Sequence, residues 1–460
     1  MKSQVFRSVA TAALVAASLV VAAPIRAQDL NAALAHAYMS NPDLNAQRAN
    51  TRSVDEGVPT AKSGNRPRVT LQGEAGYTSI DAKTGGNRSQ TELMPRSVTL
   101  SATQTIYNGN RTSNSIRQAE SSIFASRETL RNTEQNTLLD GVTAYMNVVR
   151  DQAILQLRQN NVNVLAEQVR QTKDRFNVGE VTRTDVAQAE ARLAGARSDL
   201  ALSQSNLRGS VARFKQIIGM EPKRLGAVKP VPAARLPKNQ GEAVNRAIKD
   251  HPAISAALHG VDAQSLQVKI VEGELYPTVA LTGSLARRYD TNAQGDSRNV
   301  GSVLGTVSIP IYDGGSTYSR TRAAKETLGE RRLQVDSARD RVIQAVVASW
   351  ALMEATGFQI EGANAQVSAA EIALNGVREE ARVGQRTTLD VLNAQQELLN
   401  ARVSQVTAQR DRVVASYALL SATGQLSARS LGLKVATYDP KVHFEQVKDS
   451  WLGLRTPSGE

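Results

Sequence analysis

Few side chains in this 460-residue chain are spaced for covalent or metal chemistry. The four histidines, His36, His251, His259 and His443, form no His-Glu-x-x-His pair and no short cluster of the kind that holds zinc. There is no cysteine, hence no thiolate nucleophile, disulfide framework, thiolate metal site or lipid-carrying N-terminal cysteine. Neither a Gly-x-Ser-x-Gly elbow nor a glycine loop that could cradle phosphate occurs. The chain is not expected to be an enzyme, and neither a cofactor nor a metal held by histidine or cysteine is expected. The residues with the clearest spacing do non-covalent chemistry. Thr182-x-x-Asp185 and Thr387-x-x-Asp390 are capping boxes, in which a hydroxyl and a carboxylate satisfy the free N–H groups that open a helix. Their carboxylates also lie at the helix's positive end. Val178-Gly179 and Val383-Gly384, just upstream, supply a glycine where the preceding helix must end in the left-handed conformation. The motif therefore encodes helix, tight turn, helix.

These turns belong to a longer repeat. Arg175-Phe-Asn-Val-Gly-Glu-Val-Thr-Arg-Thr-Asp185 realigns with Glu380-Ala-Arg-Val-Gly-Gln-Arg-Thr-Thr-Leu-Asp390 at an offset of 205 residues, where Tyr107-Asn-Gly109 also falls on Tyr312-Asp-Gly314. Upstream, Asn41-Pro42 and Arg66-Pro67 fall on His251-Pro252 and Tyr276-Pro277. His251, standing where the first copy has Asn41, reads as a turn or cap residue.

Inside each copy the apolar period changes from two to seven. Val69, Leu71, Gly73, Ala75 and Tyr77 alternate with polar residues, as do Val98, Leu100, Ala102 and Ile106. Val279, Leu281 and Leu285, then Val303, Val307, Ile309 and Ile311, repeat the pattern. Such alternation predicts four strands, each with one apolar and one polar face, joined by polar loops at 81–91 and 290–299. After Tyr107 no proline occurs before Pro222, and after Pro310 none before Pro440. Leu155, Val162 and Val169 are seven apart, as are Val186, Leu193, Leu200, Leu207 and Phe214, and again Leu392, Leu399, Val406, Val413 and Leu420. Sustained sevenfold spacing predicts coiled-coil packing. A helix over 112–176 would be roughly 95 Å long, too long and too polar to lie in lipid.

Residues 1–27 have the marks of a secretory signal: Lys2 and Arg7, an uncharged run from Val9 to Ala23, and a small residue at Ala27. The net charge of +12 is scattered among acidic residues along the helices, which fits solvated helix faces and excludes a nucleic-acid surface. Lipid tolerates only helices or closed barrels. Alternating strands suit a barrel with an apolar outside and a polar lumen, but four strands cannot close around one, so several chains must contribute.

The chain resembles the TolC family of outer-membrane channels over essentially its whole mature length. The resemblance rests on Asn41-Pro42, Ser308-Ile-Pro-Ile-Tyr-Asp-Gly-Gly315, Phe176-Asn-Val-Gly179 and Val383-Gly-Gln-Arg-Thr387. It implies an α+β membrane protein, a homotrimer whose twelve-stranded β-barrel continues into a long periplasmic α-helical barrel with a mixed α/β equatorial region. The expected order is signal peptide 1–27, equatorial 28–64, β-hairpin 65–107, helical hairpin 108–220, equatorial 221–274, β-hairpin 275–312, helical hairpin 313–425 and equatorial 426–460. It implies a passive duct in the outer membrane of a Gram-negative bacterium. An inner-membrane transporter of ABC or RND type and a periplasmic adaptor would engage it, for efflux or type I secretion. A periplasmic coiled-coil adaptor or poreless structural protein is the alternative, and it leaves the two-faced strands unexplained.

Position by position, the resemblance makes Val178, Gly179, Val383 and Gly384 the tips that an adaptor grips. Asp390 and Asn393 would line the periplasmic aperture, and Asn393 stands where TolC has a second acid. Three carboxylates would then ring the constriction, implying a cation-preferring entrance with a raised Asp390 pKa or a divalent cation at the ring. Arg386 would latch the closed entrance through Thr184 and Asp185 of the neighbouring hairpin. Ala381 replaces the tyrosine of a second tie.

Overall fold

The computed structural model describes residues 29–457 and 459, so the expected signal at 1–27 lies outside the described residues. The change of period from two to seven becomes a change from sheet to helix. In the first copy, helices α1 (Leu30–Ser40), α2 (Pro42–Asp55) and α3 (Gly57–Lys62) lead into β1 (Arg68–Ala75), β2 (Thr78–Thr84), β3 (Asn87–Leu93) and β4 (Arg96–Asn108). There follow α4 (Arg111–Asn177) and α5 (Arg183–Ile218). The second copy has α6 (Gln240–Asp250), α7 (Pro252–Glu272), β5 (Thr278–Tyr289), β6 (Ser297–Ser308), α8 (Ser316–Arg382) and α9 (Thr388–Ala422). A last helix, α10 (Pro440–Val447), precedes the C-terminal segment. The Asn41-Pro42 and His251-Pro252 signatures are helix starts. Asn41 Oδ1 accepts from the Asp43 and Leu44 amides at 3.0 and 3.1 Å, and His251 Nδ1 accepts from the Ala253 amide at 3.2 Å.

The four expected strands form one antiparallel sheet in the order β1-β4-β5-β6, leaving β1 and β6 as open edges. Register puts Leu71, Leu100, Leu285 and Gly301 in one row, with Gly283 and Val303 paired beside them. The apolar face is bare: Leu71 is 71% exposed and Val303 78%. The opposite face carries a hydroxyl ladder, Thr70 to Ser101 at 2.7 Å, Thr103 to Thr282 at 3.2 Å and Ser284 to Ser302 at 2.8 Å. One face suits lipid and the other a wet lumen. A bulge between Thr105 and Tyr107 brings Tyr107 opposite Val279, at the helix-proximal end of the apolar face.

The segment expected as a loop over 81–91 is instead a second ribbon, β2 paired with β3, which Gly85 and Gly86 turn with φ of 62° and 92°. Positive φ at both central residues is what a tight two-residue hairpin needs.

Each long helix has 67 residues, about 100 Å at 1.5 Å per residue. Near the tips, α5 packs along α4 and α9 along α8; nearer the sheet, α7 lies between α4 and α8. Among the described residues no helix is long and apolar enough to cross a membrane. The largest buried cluster sits at mid-length. It joins Leu34 of α1, Leu138 and Tyr145 of α4, Phe214 and Ile218 of α5, Leu419 of α9 and Leu426 beyond it. The copies also meet where sheet becomes helix. Gly109 has φ of 65°, and a Cβ there would lie 2.2 Å from the Gly273 carbonyl oxygen, so the glycine in Tyr107-Asn-Gly109 permits this backbone contact.

Candidate functional site at the helical tips

Both turns have the geometry their residues dictate. Gly179 and Gly384 adopt φ of 81° and 79°. The Glu180 amide donates to the Arg175 carbonyl and the Gln385 amide to the Glu380 carbonyl, each at 2.9 Å, closing both helices in the same way. Val178 and Val383 project at the very ends, 71% and 72% exposed. Both capping boxes form. Asp185 Oδ2 accepts from the Thr182 amide and hydroxyl at 2.8 and 2.7 Å, and Asp390 Oδ2 from those of Thr387 at 3.0 and 2.8 Å. The Thr387 amide and hydroxyl hold the Asp390 carboxyl below the usual carboxylate range, and the Thr182 groups do the same for Asp185. The cap thus works against the raised Asp390 pKa that the resemblance implied.

Arg386 and Asp185 belong to different hairpins, and within one protomer Arg386 is engaged elsewhere. Its Nε donates to Glu380 Oε2 at 2.8 Å across its own turn. The first hairpin also closes its turn with an ion pair, of opposite polarity and one residue shorter in span, Arg175 Nε to Glu180 Oε2 at 2.9 Å. Thr184, next to the Thr182 cap, is exposed at the start of α5.

Asn393 is brought to the first hairpin by a residue the sequence reading passed over. Arg192 Nη2 donates to Asn393 Oδ1 at 2.7 Å. One residue earlier, Leu392 is buried in a cluster with Leu165, Val169, Ala189 and Ala196, all of the first hairpin. Arg192 follows Asp185 by seven residues, two turns along the same face of α5, which is the spacing that could have pointed to it. Among the described residues no group of His, Asp and Glu is placed to hold a metal ion.

Comparison with known proteins agrees with this architecture. The family profile described as "Outer membrane efflux protein" matches residues 33–220 and 243–425, one match on each copy of the repeat. The outer membrane efflux protein BepC of Brucella suis biovar 1 is 42% identical over 454 residues, covering 98% of this chain and 97% of that protein. The outer membrane protein TolC of Escherichia coli is 26% identical over 422 residues, covering 88% and 84%. The outer membrane channel CmeC of Campylobacter jejuni superposes with a TM-score of 0.77 at 16% identity, covering 91% of this chain and 89% of that one.

Proposed function

The chain belongs to the outer membrane efflux protein family, and from that premise we propose that it is the passive exit duct of a tripartite efflux pump or type I secretion system. The observation that carries the reading is a sheet with a bare apolar face, a hydroxyl-lined opposite face and two open edges, continuous with polar helices far longer than a bilayer is thick. Open edges β1 and β6 require partners. Three copies joined edge to edge supply twelve strands, each copy extending the β4–β5 pairing that already joins its two halves. Six near-equivalent helical hairpins then hang below the barrel as a second tube. A soluble adaptor has no use for the bare apolar face.

In this reading the tips Val178, Gly179, Val383 and Gly384 meet a periplasmic adaptor, and an inner-membrane transporter supplies the energy. Asp390 and Asn393 line the closed aperture. Arg386 latches it to Thr184 and Asp185 of the adjoining protomer, which requires it to exchange Glu380 for them. Efflux is favoured over protein secretion by the efflux designation of the Brucella relative. The deciding experiment is deletion of the gene. Loss of drug resistance with an unchanged set of secreted proteins supports efflux, and the converse supports secretion. Absence of heat-sensitive trimers from the outer-membrane fraction would overturn the duct itself.

A further inference from the structure

The chain's end reaches a place the duct does not explain. From α10 onward the chain packs on the first helices. His443 Nδ1 lies 3.0 Å from the buried Asp55 carboxylate, Lys62 Nζ lies 2.6 Å from Asp449, and Arg66 donates to the Ser450 carbonyl at 2.7 Å. These contacts deliver Trp451 to the junction of helix and sheet. The Arg66 guanidinium carbon stands 4.3 Å from the centre of the Trp451 ring, and Arg66 is two residues before the first residue of β1. Beyond it Leu452 and Leu454 are 94% and 102% exposed. Apolar side chains left in water forgo about 25 cal/mol for each Å² that could be covered.

The repeat says what this position is. Arg66-Pro67 corresponds to Tyr276-Pro277. The second copy carries its own aromatic there, Tyr276, which is 56% exposed. The first copy has an arginine instead, and the C-terminal segment lays Trp451 upon it. Tyr107 and Tyr312, themselves corresponding residues, stand exposed at the same end of the sheet. The C-terminus thus supplies the aromatic that the first copy lacks. Tryptophan and tyrosine at the end of an apolar band are the mark of a bilayer interface, where a flat amphipathic ring sits at headgroup level.

We propose that residues 451–455 are an interfacial anchor seated in the periplasmic leaflet beside the barrel. Trp451 lies among the headgroups and Leu452 and Leu454 reach toward the acyl chains. Arg66 and Arg455 face lipid phosphates, for which a guanidinium's planar fork is suited. The seat of Trp451 on Arg66, two residues from the start of β1, and this positive charge identify phospholipid, rather than a second copy of the chain, as the occupant. The proposal rests on the outer-membrane reading above.

The chain has two tryptophans. Trp350 lies 34 residues into α8, about 50 Å from the rim, beyond the reach of lipid-borne quenchers. The trimer is reconstituted into vesicles of phosphatidylethanolamine and phosphatidylglycerol, with or without brominated acyl chains. The signal of Trp451 is taken as the difference between the native protein and W451F. Brominated lipid is expected to lower it about twofold or more, with little response to aqueous iodide, as for a ring at headgroup depth. Replacing Leu452 and Leu454 together by Asp should abolish the lipid response and leave conductance unchanged. Quenching by iodide alone would place the tail in water, and quenching by neither would place it against another protomer; either overturns the anchor. Failure of the protein to enter vesicles as a conducting trimer would instead refute the outer-membrane reading.

Discussion

Arg192 and Asn393 stand 201 positions apart in the chain, yet the guanidinium of one donates to the side-chain oxygen of the other at 2.7 Å. The bond joins α5 of the first hairpin to α9 of the second, one residue from Leu392 in its cluster with Ala189 and Ala196. Both partners are exposed, so an interaction of about 0.5–1 kcal/mol is the proper scale. Arg192→Ala should therefore raise the resting open population about two- to fivefold, since 1.4 kcal/mol is a factor of ten, read as single-channel conductance in planar bilayers. Asn393→Ala should do the same, and the double variant should add nothing to either single one. Full additivity would show that the two residues act separately.

Glu380 and Arg386 give a prediction with two opposite signs. The 2.8 Å staple between them occupies the arginine proposed as the latch. Arg386→Ser removes the latch, so resting conductance should rise. Glu380→Ala removes only the competitor, so the closed state should be held as firmly or more so, and opening should become rarer. If both variants raise conductance alike, the staple itself holds the tip and no latch operates through Arg386.

Much of this architecture was legible because period and punctuation agree. The glycines at 179 and 384, with their capping boxes, specify the turns locally, and alternation specifies the two faces of β1, β4, β5 and β6. The β2–β3 ribbon was missed because its strands are short and mostly polar, with Ile80, Ala82 and Leu93 too few to set up an alternation; only the Gly85-Gly86 pair marked it. The Arg192–Asn393 bond was not legible, since no local rule links residues on different hairpins. Arg386 was legible as a turn residue, but its staple to Glu380 was not, because the first hairpin's staple joins Arg175 to Glu180 and so does not align with it position by position.

Gly109 tests the junction between the copies. Alanine there meets two penalties: about 1–2 kcal/mol for a side chain in the left-handed region, and a Cβ placed 2.2 Å from the Gly273 carbonyl oxygen. The backbone must shift to relieve the second. Gly109→Ala is expected to reduce the yield of heat-sensitive trimer severalfold, measured by gel mobility of unheated outer-membrane fractions. A normal yield would mean that α4 and the α7–β5 corner can separate without harm.

Asp390 carries the pH dependence. Its carboxylate accepts two hydrogen bonds from Thr387, which lower its pKa in the folded tip relative to its ordinary value near 3.8. For an acid whose folded pKa is depressed, the contribution is present above the unfolded value and is lost as pH falls through the folded one. The charge proposed for the aperture, and the cap it completes, should persist through neutral and mildly acidic solution and disappear only below the usual carboxylate range. Cation selectivity, taken from reversal potentials in a salt gradient, should stay level as pH falls from 7 to about 4.5, because Asp390 remains ionised over that range. Asp390→Ala should reduce that selectivity and weaken block by divalent cations at every pH in the range. A selectivity that titrates away near pH 6 in the native channel would show that repulsion around the ring outweighs the Thr387 cap. Selectivity equal in native and variant channels would remove Asp390 from the aperture.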